Sequence, residues 1–406
     1  MVDSPPPPTV RPHITRLDSL TGMRFLAAVC VFMFHGLCTM LFADRSWQMT
    51  PAPGPHAMVF WQGNWTSVSF FFVLSGFVLA WSRRPGDTAA RFWRRRVFKI
   101  WPNHLLTLIA AAVLFGGLLG LPLDGTTGVL NAFLVQSFWP QQEVWASYNS
   151  VSWSLSCEAL FYLLFPLLMR YIDRIRPERL WAAAGVVLAA VFAVPLVATL
   201  LPDGPWQPLS QSGPVAFWFT SKFPPVRLLE FVFGLLLARI VATGRRVPLG
   251  LGGATALTVF AYVVAPLFPL TYPQVAVTLL PLGLIIAAAA AGEAAGVRAW
   301  TGGRVMVWLG ETSFAFYMCH LLILVFTGSV LLGGRGASTP VALGVLALVF
   351  LASLGVAALL FHLVERPIMR RFATSRRRPL PPLAPIPPGP GTTPAEPALN
   401  APDPGR

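Results

Sequence analysis

The sequence predicts an all-α polytopic membrane protein of about ten transmembrane helices with both termini in the cytoplasm. Three observations carry that prediction. Of 406 residues, 55% are hydrophobic and 11% charged, and the mean hydropathy is +0.64. Ordinary soluble domains carry roughly 25% charged residues, so a soluble globular protein is excluded. Apolar segments of helical-span length recur as far as residue 362, which fits one membrane domain better than a soluble enzyme with an anchor. Basic residues then alternate between connecting segments, and the alternation sets orientation.

Taken in order at about 20 residues per crossing, the spans fall at roughly 22–42, 66–82, 104–121, 153–171, 181–200, 227–243, 250–268, 272–291, 307–331 and 341–362. Residues 1–19 hold four consecutive prolines and no positively charged region leading to a cleavage site, so they read as a cytoplasmic tail rather than a signal peptide. Segment 83–103 is rich in Arg and Lys, segment 172–180 carries Arg174, Arg176 and Arg179, and Arg245 and Arg246 follow the sixth span. The alternate segments hold only Arg45, Lys222 and Arg335, which puts the arginine-rich side in the cytoplasm. Residues 20–371 form the expected membrane domain, and 372–406 a Pro/Ala-rich cytoplasmic tail, expected to be disordered, whose arginines suit anionic headgroups.

The formal charge of +14 does not point to nucleic acid, because the arginines sit in short clusters between apolar runs. Cys30, Cys38, Cys157 and Cys319 lie in or beside apolar spans and read as small hydrophobes, with neither metal-ligand spacing nor a disulfide framework.

Among the ionisable residues within spans a short list stands out: Arg24, His35, Glu158, Glu230, Glu311 and His320. Burying a charge in hydrocarbon costs several kcal/mol unless it is paired or neutralised, so these are the candidate site. Arg24 and His35 are eleven residues apart, roughly three helical turns, and share a face about 16 Å apart. They read either as a bundle-facing functional pair or as an interfacial arginine with a singly bonded histidine. Ser154 and Glu158 share a face and make either a packing seam or a polar wall beside His35. Arg227 and Glu230 are spaced to pair with each other, and His320 reads as a satisfied interhelical histidine out of phase with Glu311.

The segment RFWRRRVFKIWPNH reads either as a topology determinant with interfacial tryptophans or as an anion site for the phosphates of a cytoplasmic acyl donor, with Pro102 ending any helix there. A single imidazole beside a polar pocket suits base catalysis, but a proton or ion pathway uses the same parts. The residues by themselves leave an enzyme and a transporter level.

Six motifs in order over residues 16–371 resemble the acyltransferase-3 family of integral membrane O-acyltransferases: RLDSLTGMRFLAAVCVFMFH, SVSFFFVLSGFVLAW, RRRVFKIWP, WSLSCEALFYLLFP, LGETSFAFYMCH and VERPIMR. The resemblance implies that His35 is the general base and that Arg24, together with Arg95, Arg96 and Lys99, helps bind the acyl-CoA donor. Lys99 stands where the family usually has arginine, keeping the charge but losing the bidentate fork. Glu158 falls on the family's glutamate, with Trp153 and Tyr162 matching around it. No Gly-x-Ser-x-Gly turn supports a serine nucleophile, and direct transfer from thioester to hydroxyl needs none.

The TGMRFLAA opening together with NSVSWSLSCEALFY looks most like the actinobacterial branch that acylates macrolides. The expectation is therefore an acyl-CoA-dependent O-acyltransferase of the plasma membrane, with a hydroxylated secondary metabolite, a macrolide or its sugar, as acceptor. No metal and no nucleic-acid partner are expected. A cell-surface polysaccharide is the alternative acceptor, and a carrier of acyl groups or small metabolites is the alternative of a different class.

Overall fold

A computed structural model describes residues 16–37, 55–84, 86–202, 204–205, 212–269, 271–334 and 338–373, for 55–59 and 339 in backbone alone. Ten long helices dominate: α1 (Asp18–His35), α2 (Pro55–Trp81), α3 (Ala89–Ala112), α4 (Trp153–Ile172), α5 (Leu180–Ala198), α6 (Pro224–Ala242), α7 (Leu251–Val264), α8 (Leu279–Ala294), α9 (Arg304–Val325) and α10 (Thr339–Leu359). Each predicted span falls on one of them. Most of the N-terminal tail, the end of the first span, Cys38, Arg45, Arg335 and residues 374–406 lie outside the described residues.

Among the described residues seven helical segments are long and apolar enough to cross a membrane: Phe60–Trp81, Ala89–Leu118, Ser150–Ile172, Pro177–Ala198, Tyr272–Ala294, Arg304–Leu331 and Pro340–Ala373. The protein is thus all-α and polytopic. α1, α6 and α7 fall short for identifiable reasons: α1 carries Asp18, Arg24 and His35, α6 carries Arg227, Glu230 and Arg239, and α7 has 14 residues.

Two expectations are corrected. The second span is not short, since α2 runs 27 residues from Pro55 to Trp81. The arginine-rich segment is not a loop ended by Pro102, because α3 is helical from Ala89 through Pro102 to Ala112. Proline removes one backbone donor, but membrane helices tolerate it where neighbours hold the flanking turns. Here Lys99, one turn before, and Asn103, just after, are both anchored to the buried Glu365 carboxylate, Asn103 Nδ2 donating over 2.9 Å.

Glycines set two helix crossings by close backbone approach. On α9, a Cβ at Gly310 would lie 1.8 Å from the Thr21 carbonyl oxygen of α1. On α2 and α6, a Cβ at Gly76 would meet the Phe231 carbonyl oxygen at 2.1 Å and one at Gly234 the Val73 carbonyl oxygen at 2.0 Å. The first crossing brings α1 against the helix that carries His320. The first turn of α1 is capped from a distance: Glu293 at the end of α8 accepts the Asp18 and Ser19 backbone N–H groups over 2.9 and 3.0 Å, satisfying donors that a helix start leaves open. In the α2/α6 layer Arg227 and Glu230 form the predicted pair at 3.0 Å, fully buried, with Ser69 Oγ donating to Glu230 over 3.0 Å. By contrast α5, α7 and α10 expose large apolar side chains such as Val186, Phe260 and Leu348, as lipid-facing helices do.

Candidate active site

His35 is the last residue of α1. Its Nδ1 lies 3.0 Å from His320 Nε2 on α9. The other nitrogen of His320, Nδ1, faces the carbonyl oxygens of Tyr317 at 2.8 Å and Phe316 at 3.2 Å. Carbonyl oxygens only accept, so His320 Nδ1 carries the proton, and in the neutral ring Nε2 is an acceptor. His35 Nδ1 must then be the donor, and its Nε2 keeps the lone pair. The ring also hydrogen-bonds the Val31 backbone, as a protonated nitrogen does. His320 is therefore the satisfied interhelical histidine that the sequence predicts, and its partner is the candidate base itself.

His35 lines a cavity of 460 Å³ with Asn64, Trp65, Trp145, Trp153, Tyr317 and Lys222 among its walls. Further from His35 the lining comes from 121–127 and 142–151, the segment between α3 and α4. That segment is built from short helices, Gly125–Ala132 and Gln142–Trp145, tied together by Asn131, whose Nδ2 donates to the Ser147 carbonyl over 2.9 Å.

Arg24 and Glu158 share a second, much smaller pocket of 40 Å³, with Ser154, Ser313, Phe314 and again Tyr317 in its lining. Glu158 Oε2 accepts from the Tyr162 hydroxyl over 2.7 Å, and it lies within electrostatic reach of Arg24, Arg96 and Lys99. Glu158 does not orient His35; that contact belongs to His320. Tyr317 is the wall common to both pockets. Its hydroxyl lies 2.9 Å from Ser154 Oγ and donates to the Val151 carbonyl over 3.1 Å. Tyr317 thus puts a hydroxyl, hydrogen-bonded to Ser154, into the wall that both pockets share.

The predicted cationic cluster separates into engaged and open members. Arg95 is ion-paired with Asp87 and, by that hydrogen bond, holds the Asp87 carboxyl below the ordinary carboxylate range. Lys99 is ion-paired with Glu365. Arg96 forms no ion pair among the described residues, lying 5.6 Å from the Phe92 ring and 5.8 Å from the Tyr162 ring, with its buried Nε unpartnered. Arg24 likewise has no ion pair among the described residues. The two guanidiniums flanking Glu158 are those able to meet an incoming anion.

Sequence reasoning counted His320 among the candidate residues but read it as a satisfied interhelical histidine, and it gave Tyr317 no part in the site. Lys222 was counted only for topology, although it is buried in the cavity wall. A signal for Lys222 existed: an isolated lysine flanked by aromatic residues in an otherwise uncharged segment. Among the described residues no group of three His, Cys, Asp or Glu side chains comes together as a metal site.

Comparison with known proteins identifies the family. The chain is 40% identical over 383 residues to the acyltransferase MdmB of Streptomyces mycarofaciens, covering 91% of this chain and 95% of that one. It is 29% identical over 322 residues to the exopolysaccharide production protein ExoZ of Rhizobium meliloti (strain 1021), covering 76% and 90% respectively. No solved structure matches it. The acyltransferase domain family matches residues 17–362. A match of that extent, spanning both pockets and both histidines, leaves no room for the carrier alternative: the chain belongs to this acyltransferase family and is a multi-pass membrane acyltransferase.

Proposed function

We propose that the protein transfers an acyl group from acyl-CoA to a hydroxyl of an apolar secondary metabolite, a macrolide or its sugar, at the plasma membrane. In this reading the ten long helices all cross the bilayer, the 1–19 and 372–406 tails are cytoplasmic, and 20–371 is the catalytic domain. The donor then arrives at the arginine-rich face through Arg24 and Arg96, and the acceptor enters the large cavity on the other side of Tyr317.

The observation that carries the reading is the His35–His320 contact on the cavity wall. It leaves His35 Nε2 as a base of fixed tautomer, suited to take the proton of an acceptor hydroxyl while that oxygen adds to the thioester carbonyl. Collapse of the adduct breaks the C–S bond, and the proton passes from the imidazolium to the departing thiolate. Glu158, between two unpaired guanidiniums, holds them in place for the donor phosphates. The mostly apolar, tryptophan-lined cavity suits a large apolar acceptor better than a hydrated glycan. Similarity to a relative named for exopolysaccharide production keeps a glycan as the second reading.

Protein in proteoliposomes given radiolabelled acyl-CoA and a panel of acceptors tests this. Label should move to a macrolide with stoichiometric release of CoA, and not to a polysaccharide. Label on the glycan alone would reverse the acceptor assignment, and CoA release that no acceptor stimulates would end the reading.

A further inference from the structure

Lys222 lies in the turn before α6 and is 3% exposed. Its Nζ sits 3.8 Å from the centroid of the Trp153 ring, 5.0 Å from Trp65, 5.1 Å from Trp145 and 5.5 Å from Phe217. Among the described residues no carboxylate lies within ion-pairing distance of it. Lys222 and the three tryptophans line the cavity that holds His35, and the Lys222 charge is felt at the His35 ring.

A purely structural side chain at this place would be apolar, because a buried ammonium without a counter-ion is costly. The negative faces of four aromatic rings offset that cost without neutralising the charge. Burial, and after it the nearby Arg227 guanidinium, push the lysine well below its ordinary range and so work against the charge, while the aromatic faces and a negative atom arriving in the cavity work for it. The charge is therefore desolvated, uncommitted and held at the cavity wall, the condition under which it interacts most strongly with a negative atom arriving beside it. The transfer reaction makes one such atom.

We propose that Lys222 is a catalytic residue whose ammonium holds the oxyanion formed on the thioester carbonyl when the acceptor oxygen adds. The assignment rests on the reading of His35 as base. As the C–O bond forms, the hydroxyl proton goes to His35 Nε2 and the carbonyl π pair moves onto oxygen, facing Lys222 Nζ. When the pair returns, the C–S bond breaks, CoA leaves as thiolate, and the imidazolium proton neutralises it. Lys222 begins and ends the cycle as the same ammonium.

The test compares Lys222→Met and Lys222→Gln with His35→Ala, each purified as a monodisperse fraction in detergent. Removing a single oxyanion donor lowers kcat about 100- to 1000-fold, and both Lys222 variants should do so with KM for donor and acceptor nearly unchanged. Lys222→Gln keeps the chain length and decides the matter if Lys222→Met does not fold. A Lys222 variant that raises either KM at unchanged kcat would make the lysine a binding group and overturn the proposal. Wild-type kinetics in the Lys222 variants with His35→Ala inactive would overturn it alone, whereas full activity in His35→Ala would overturn the underlying reading.

Discussion

The two pockets on either side of Tyr317 are built on opposite principles. The larger holds its ionisable groups by single, directional contacts: His320 fixes the tautomer of His35, and aromatic faces hold Lys222. At 460 Å³ it has room for a ligand as it stands. The smaller, at 40 Å³, has room for only a few waters, and its Glu158 lies within electrostatic reach of Arg24 in its lining and of Arg96 beyond it. One side is preorganised for proton transfer, the other for an anion that must make its own space. On the proposed reading the first serves the chemistry and the second donor recognition.

The largest effect that tests this division is His35→Ala. Loss of a general base costs about 10²- to 10⁴-fold, and steady-state rates should show it in kcat with donor KM little altered. A donor KM rising in step would erase the distinction between the pockets. Next comes His320→Phe, which removes the acceptor facing His35 Nδ1 and should lower kcat about tenfold or more by freeing the base to adopt the wrong tautomer. His320→Gln, whose amide oxygen can accept that proton, should recover part of the loss. If Gln and Phe behave alike, His320 is packing and the tautomer argument falls.

The donor side predicts a KM effect. Removing one charge-assisted hydrogen bond costs roughly 1.5–3 kcal/mol, so Arg96→Ala or Arg24→Ala should raise the KM for acyl-CoA tenfold or more at nearly constant kcat. Arg95→Ala, whose partner is Asp87, should instead leave KM near wild type. Equal KM effects at Arg95 and Arg96 would show that the ion pairs do not sort the cluster.

What could be read in advance follows a physical divide. The apolar helices, and the placing of Arg24 and His35 on one of them, depend on hydropathy and helical period, which are properties of contiguous sequence. Arg227 with Glu230 was legible for the same reason, being three apart on one helix. The His35–His320 contact joins residues 285 positions apart, and nothing in either segment announces the other. The continuity of α3 through Pro102 was misread because local propensity breaks a helix there, while the Glu365 carboxylate that holds both flanking turns comes from the far end of the chain. Lys222 showed in the sequence only as an isolated lysine among aromatic residues, because its cage comes from Trp65, Trp145, Trp153 and Phe217, on separate segments.

The smallest expected effect bears on the boundary itself. Tyr317→Phe keeps the ring but deletes the hydroxyl that meets Ser154 Oγ and the Val151 carbonyl. A hydrogen bond of this kind contributes a net 0.5–1.5 kcal/mol, so rates controlled by the boundary should change about two- to tenfold. If the hydroxyl pair keeps water in the large cavity away from a bound thioester, the change will appear in CoA release without acceptor, which rises, while transfer to acceptor stays near wild type. Free thiol measured with and without acceptor separates the two. Unchanged release in both conditions would mean that Tyr317 divides the pockets by its ring alone, and the polar boundary would lose its role.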